Sequence, residues 1–209
     1  MYSKPLGLYS PGGFYMRVSI LIDGGHTRVL ARQAGYTYDP DYIEKIAHAA
    51  VQPGEELLRV LYYDCAPYNG TQRLPVSGTD RVFTGSDRWL NDLAAKDLFA
   101  VRRGVIKFRG FKPKRIPIAA AALTDAVFKP DFEQKGVDMR IGLDIANHAA
   151  TKSVDRILLM TADTDCLPAM KHARIAGLQI ALVSFPNSRI APELRWHSDF
   201  ERRIAWPVQ

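Results

Sequence analysis

Apolar positions come in short continuous runs along the chain, separated by segments whose apolar residues recur every three or four positions. Residues 17–22 (RVSILI), 57–64 (LLRVLYYD), 156–160 (RILLM) and 178–184 (LQIALVS) are runs of this kind. Their length and branched side chains predict strands buried on both faces. Between them, helical spacing predicts helices over 26–34, 40–51, 87–99, 132–151, 163–176 and 190–197. Asp39-Pro40 opens one of these as a cap and first-turn proline, and Gly177 closes another. In 132–151 the apolar residues Val137, Ile141, Ile145 and Ala149 share one face. Residues 101–111 alternate in part like a strand, and 202–205 read as an edge strand. Residues 66–86, rich in Pro, Gly, Thr and Asn, read as a long loop. No element is assigned to 113–129. Strands that exchange with helices imply parallel pairing through right-handed crossovers, and therefore an α/β fold. Residues 1–16 read as a flexible tail before a single domain over 17–209.

Composition narrows the class. The 47% hydrophobic and 24% charged content of these 209 residues is that of a soluble globular protein. No run approaches the roughly 18 apolar residues of a membrane span, and the first fifteen residues lack the continuous hydrophobic stretch of a signal peptide. We therefore expect a cytoplasmic protein without a membrane partner. Cys65 and Cys166 stand far apart, which predicts free, partly buried thiols. The net charge of +6 points to an anionic partner. Arg102, Arg103, Lys107, Arg109, Lys112, Lys114 and Arg115 crowd one stretch with no acid among them. That stretch reads equally as a nucleic-acid track or as a solvated strand. Trp89, Trp196 and Trp206 read as core or interface residues before base-stacking ones.

The candidate chemistry is carried by carboxylates. In an open parallel sheet, ligands bind beyond the carboxyl ends of the strands. Asp23 follows the first strand, Asp163 follows RILLM, Asp165 comes two residues later, and Asp138 lies near the start of its helix. Carboxylates gathered at one rim repel one another and persist best around a cation. Oxygen ligands alone suit Mg²⁺ or Mn²⁺, and such ions serve phosphodiester hydrolysis. Each acid also has a plainer reading. Asp165 fits a helix N-cap, Asp138 a first-turn acid favoured by the helix dipole, and Asp23 recurs in many nucleotide-binding sheets. Asp144, about 240° around the helix from Asp138, reads as structural. Asp64 reads as a surface acid before a spare ligand. Dinucleotide and P-loop phosphate cradles, paired histidine ligands and a serine nucleophile elbow are all missing from the sequence.

The segments ILIDGGH (20–26), KGVDMRIGLDIANHA (135–149) and LLMTADTDCLPAMKHARIAG (158–177) together resemble the NYN domain, including its LabA-like group, over roughly residues 17–204. The resemblance implies a PIN-like three-layer sandwich with a mostly parallel central sheet. It also implies a metal-dependent nuclease, in many relatives a ribonuclease. The family's acidic site would fall on Asp23, Asp138, Asp163 and Asp165. Lys135 and Thr161 match the lysine and the small hydroxyl residue of its motifs. Where the family usually has asparagine, this chain has His26, which either contacts substrate or replaces a structural hydrogen bond. The expectation is an endoribonuclease with Mg²⁺ or Mn²⁺ on the four aspartates. His26, Lys135, Thr161, Arg102, Arg103, Lys107 and Arg109 would contact a single-stranded or structured RNA, and a homodimer is compatible with this. A non-catalytic RNA-binding or regulatory module is the main alternative, and a small-molecule phosphohydrolase a third.

Overall fold

A computed structural model describes residues 15–209, and the rest of the expected tail lies outside the described residues. Met16, read from sequence as the tail's last residue, is the first residue of strand β1 (Met16–Asp23). The chain continues through α1 (Gly24–Gln33), α2 (Pro40–Ala50), β2 (Glu55–Cys65), β3 (Gly70–Arg73), β4 (Asp80–Phe83), α3 (Arg88–Ala94) and β5 (Phe99–Pro113). Then follow β6 (Phe128–Lys135), α4 (Val137–Thr151), β7 (Arg156–Met160), α5 (Leu167–Ile175), β8 (Gln179–Ser184), α6 (Pro192–Trp196) and β9 (Phe200–Arg203).

Seven strands form one sheet in the order β6-β5-β2-β1-β7-β8-β9, parallel throughout except for the antiparallel pair β5–β6. Successive side chains of a strand face opposite sides. Val18, Ile20 and Ile22 of β1 join the core beneath α1, α2 and α3, while Leu21 joins the core beneath α4 and α5. Both faces are covered, so the strands have no polar side to show and read as continuous apolar runs. The result is the PIN-like three-layer α/β sandwich. Among the described residues no helix is long and apolar enough to cross a membrane. Cys65 and Cys166 are free and buried. Trp89 meets Tyr62 edge-on at 6.0 Å and Trp206 stacks on Phe185 at 3.8 Å, both as packing residues, whereas Trp196 is exposed.

Three segments differ from the sequence reading, the first being the helix expected over 87–99, which ends at Ala94, with Phe99 already in β5. The 66–86 stretch contains a two-stranded antiparallel sheet, β3–β4. Residues 128–135, of which 132–135 read as the first part of a helix, are strand β6. They pair with the far half of β5, with Phe132 opposite Phe108 and Glu133 opposite Lys107. The helix begins only after Gly136, whose φ of 79° is left-handed and lets the chain turn from strand to helix. One face of this β5–β6 ribbon packs against the small sheet through Tyr68, Phe83, Phe108, Phe111 and Phe132, with ring centres 5.2–6.5 Å apart. Ribbon and small sheet together form an aromatic satellite core that no local periodicity announces.

Candidate metal centre

β1 and β7 are neighbours in register, Ile22 beside Met160, so the chain leaves the sheet at Asp23 and at Thr161 side by side. Buried Thr161 joins the two exits. Its hydroxyl donates to Asp23 Oδ2 (3.2 Å) and accepts from the Asp163 N–H (3.1 Å). Asp163 then accepts the N–H of Asp165 at 2.8 Å. The capping residue of this turn is thus Asp163, and the N-cap reading of Asp165 does not hold. α4 runs back across the sheet from its first turn at this rim and contributes Asp138. Carboxylate oxygens of Asp138, Asp163 and Asp165 lie within 4.8 Å of one another.

Asp23 borders this trio without belonging to it at that distance. It caps α1, its Oδ1 accepting the N–H of His26 at 3.1 Å. Burial holds the Asp23 carboxyl above its ordinary pKa, against the lowering effect of that N–H and of the His26 ring. Burial also lowers the His26 pKa, against the pull of Asp23, which favours a neutral imidazole. Asp138 is raised first by burial and then by the charges of Asp163, Asp23 and Asp165. The Cys166 thiol is pushed up to about 12, first by burial and then by the charges of the same four aspartates. Carboxylates crowded in this way form a site whose repulsion a divalent cation would relieve. A set of oxygen donors alone fits Mg²⁺ or Mn²⁺.

Several of the basic residues are engaged in ion pairs. Arg102 is held by Asp144 at 3.1 Å, and Asp144 also accepts the Tyr63 hydroxyl at 2.8 Å. Arg103 is tied to Asp87 at 2.7 Å and to Asn91. Lys135 and Arg109 share Glu133, and Lys112 meets Asp131. The stretch without acids in sequence meets acids supplied by β6, by α4 and by the residue before α3. Thr161, buried, positions Asp23 and Asp163 and does not offer a surface to substrate. Asp64, read as a surface acid, is 1% exposed and paired with Arg28. Sequence reasoning also missed Gln134. A β-carbon on Gly25 would sit 3.3 Å from the Gln134 amide oxygen and 3.4 Å from Asp23 Oδ1, so this amide lies beside Asp23. No local signal marks Gln134, because only the β5–β6 pairing carries it there.

The model of the NYN domain family matches residues 17–201. The chain belongs to the NYN domain family. As an NYN domain it carries the fold of a PIN-like nuclease family, with an acidic trio able to hold a metal ion. Its fold is similar to the crystal structure of VPA0982, a protein of unknown function from Vibrio parahaemolyticus RIMD 2210633. The TM-score is 0.54 and the identity 16%, over 94% of this chain and 96% of that one. None of the curated proteins matches the chain.

Proposed function

We propose that this NYN domain is a metal-dependent endoribonuclease. The observation that carries the reading is the convergence of Asp138, Asp163 and Asp165 within 4.8 Å, flanked by Asp23, at the carboxyl rim of a parallel sheet. Asp138, Asp163 and Asp165 would hold Mg²⁺ or Mn²⁺, with Asp23 from the flank. Such an ion, when bound, supplies the charge that activates a water and stabilises the leaving oxygen of a phosphodiester. Thr161 fixes the angle between Asp23 and the Asp163 turn, so the acids are in place before substrate arrives. His26, whose pKa burial lowers, and the Gln134 amide, which lies beside Asp23, would contact substrate there. Exposed Lys107, Lys112, Lys129 and Lys135, with Arg109, outnumber Glu133 and Asp131 on the ribbon, which leaves a net positive surface for a polyanion.

The test is cleavage of end-labelled single-stranded and hairpin RNAs in Mn²⁺, Mg²⁺ or EDTA, comparing wild type with Asp163→Asn. Asparagine keeps an acceptor for the Asp165 N–H and removes one ligand charge. Metal-dependent cleavage that disappears in the variant supports the proposal. Binding without cleavage under every metal condition would replace it with the non-catalytic RNA-binding module.

A further inference from the structure

On the far side of Asp23 from the acidic trio lies a charge pair that the metal centre leaves unused. Asp64, near the end of β2, accepts the N–H of Cys65 at 2.8 Å and the Tyr62 hydroxyl at 3.2 Å. It also takes two N–H groups of Arg28, one in a short contact from Nη1 and one from Nη2 at 3.4 Å. Burying an ion pair carries a desolvation cost for each ion, and apolar packing often serves stability as well. A fixed guanidinium is nevertheless what anion recognition requires, because its planar fork matches a phosphate. The fork has five N–H donors, of which Asp64 occupies two. No Arg28 nitrogen is both buried and unpartnered, and 24% of the side chain is open to solvent. Nε, which has no partner, is therefore open to solvent on the helix that starts at Asp23.

We infer that Arg28 is a phosphate-binding group for the nucleic-acid strand, held in place by Asp64. This rests on the reading of the acidic centre as a phosphodiester site. Asp138, Asp163 and Asp165 receive the scissile phosphate, and Arg28 takes a neighbouring phosphate across Asp23. The strand then crosses the carboxyl ends of β7, β1 and β2 in that order. The acids alone would repel a polyanion, and Arg28 sets a fixed positive charge on its path. Asp64 acts through Arg28 and is a positioning residue.

Two variants test this. Arg28→Gln combined with Asp64→Asn removes both charges together, so neither is left buried alone, and Arg28→Lys keeps the charge but loses the fork. Binding of a fluorescent single-stranded RNA in EDTA is followed across a range of salt concentrations, alongside steady-state cleavage in Mn²⁺. The double variant is expected to bind about tenfold more weakly, with a salt slope shallower by about one. Its KM rises by a similar factor while kcat stays within about twofold, the pattern of lost uniform binding. Arg28→Lys keeps the slope and raises KM about threefold, which decides the question even where the double variant fails to fold. A lowered melting temperature with slope and KM unchanged overturns the inference and makes the pair a tie between α1 and β2. Wild type that binds with an Arg28-dependent slope yet never cleaves overturns the nuclease reading alone. Absence of RNA binding overturns both.

Discussion

At the scale of single residues, the acidic centre trades stability for function. Asp138 is raised by burial and by three like charges, so its ionised form is strained while no cation is present. Replacing Asp138 by Asn should raise the melting temperature of the metal-free protein, because it removes a charge that burial and three like charges disfavour. The same variant should lose the stabilisation by Mn²⁺ and any cleavage; a metal response equal to wild type would remove Asp138 from the centre. Thr161→Val argues in the opposite direction. It strips an acceptor from the Asp163 N–H and a donor from Asp23, so both stability and metal affinity should fall. An unmade buried hydrogen bond costs about 1–3 kcal/mol, and partners of metal ligands typically lower affinity or activity about 10–100-fold. Calorimetric titration with Mn²⁺ measures that loss. The acids were legible in the sequence because each follows a strand or opens a helix in a recognisable motif. The partners were not, since Arg28 and Asp64 lie 36 residues apart and nothing local to either announces the pair.

At the scale of elements, the parallel strands could be read because burial on both faces writes each as an apolar run. β6 could not. Its eight residues, FKPDFEQK, alternate weakly, and their pairing partner β5 lies across a long connection. The i,i+4 spacing of Val137, Ile141 and Ile145 invited an extension of the helix backwards over residues 132–135. Gly104 shows what that junction demands. It sits where β5 passes from pairing with β2 to pairing with β6. A β-carbon there would meet Cys65 Sγ at 2.7 Å, the Lys135 carbonyl at 2.8 Å and Val137 Cγ2 at 2.9 Å. Two of these obstacles flank Gly136 at the start of α4, so the strain would fall on the turn that places Asp138. Gly104→Ala should cost about 1–3 kcal/mol and weaken Mn²⁺ binding, although residue 104 is not among the ligands. A melting curve and a metal titration unchanged from wild type would show that the junction yields without moving α4.

At the scale of the whole molecule, opposite ends of the sheet respond to pH in opposite ways. At the amino end, Glu55 would be raised by burial alone, but hydrogen bonds from Arg202, Gln52 and Arg156 bring its pKa down to about 2. A depressed pKa contributes stability that is present above the unfolded value near 4.5 and lost as pH falls towards about 2. At the carboxyl end, Asp23 and Asp138 are raised above 3.8, so the metal-free folded state holds more protons than the unfolded chain. Their contribution therefore declines as pH rises through the raised values. A divalent cation reverses this second effect by binding the ionised carboxylates, in competition with protons. At a hundredfold excess over Kd near neutral pH, Mn²⁺ should stabilise the protein by about 2.7 kcal/mol, several degrees in melting temperature. The stabilisation should be smaller in an acidic buffer than near neutral pH, because protons then compete with the ion for the carboxylates. Thermal scans with and without Mn²⁺ at the two pH values measure the difference, and Asp163→Asn supplies the control. An equal shift at both values, or one that persists in Asp163→Asn, would place the ion elsewhere than on the crowded acids.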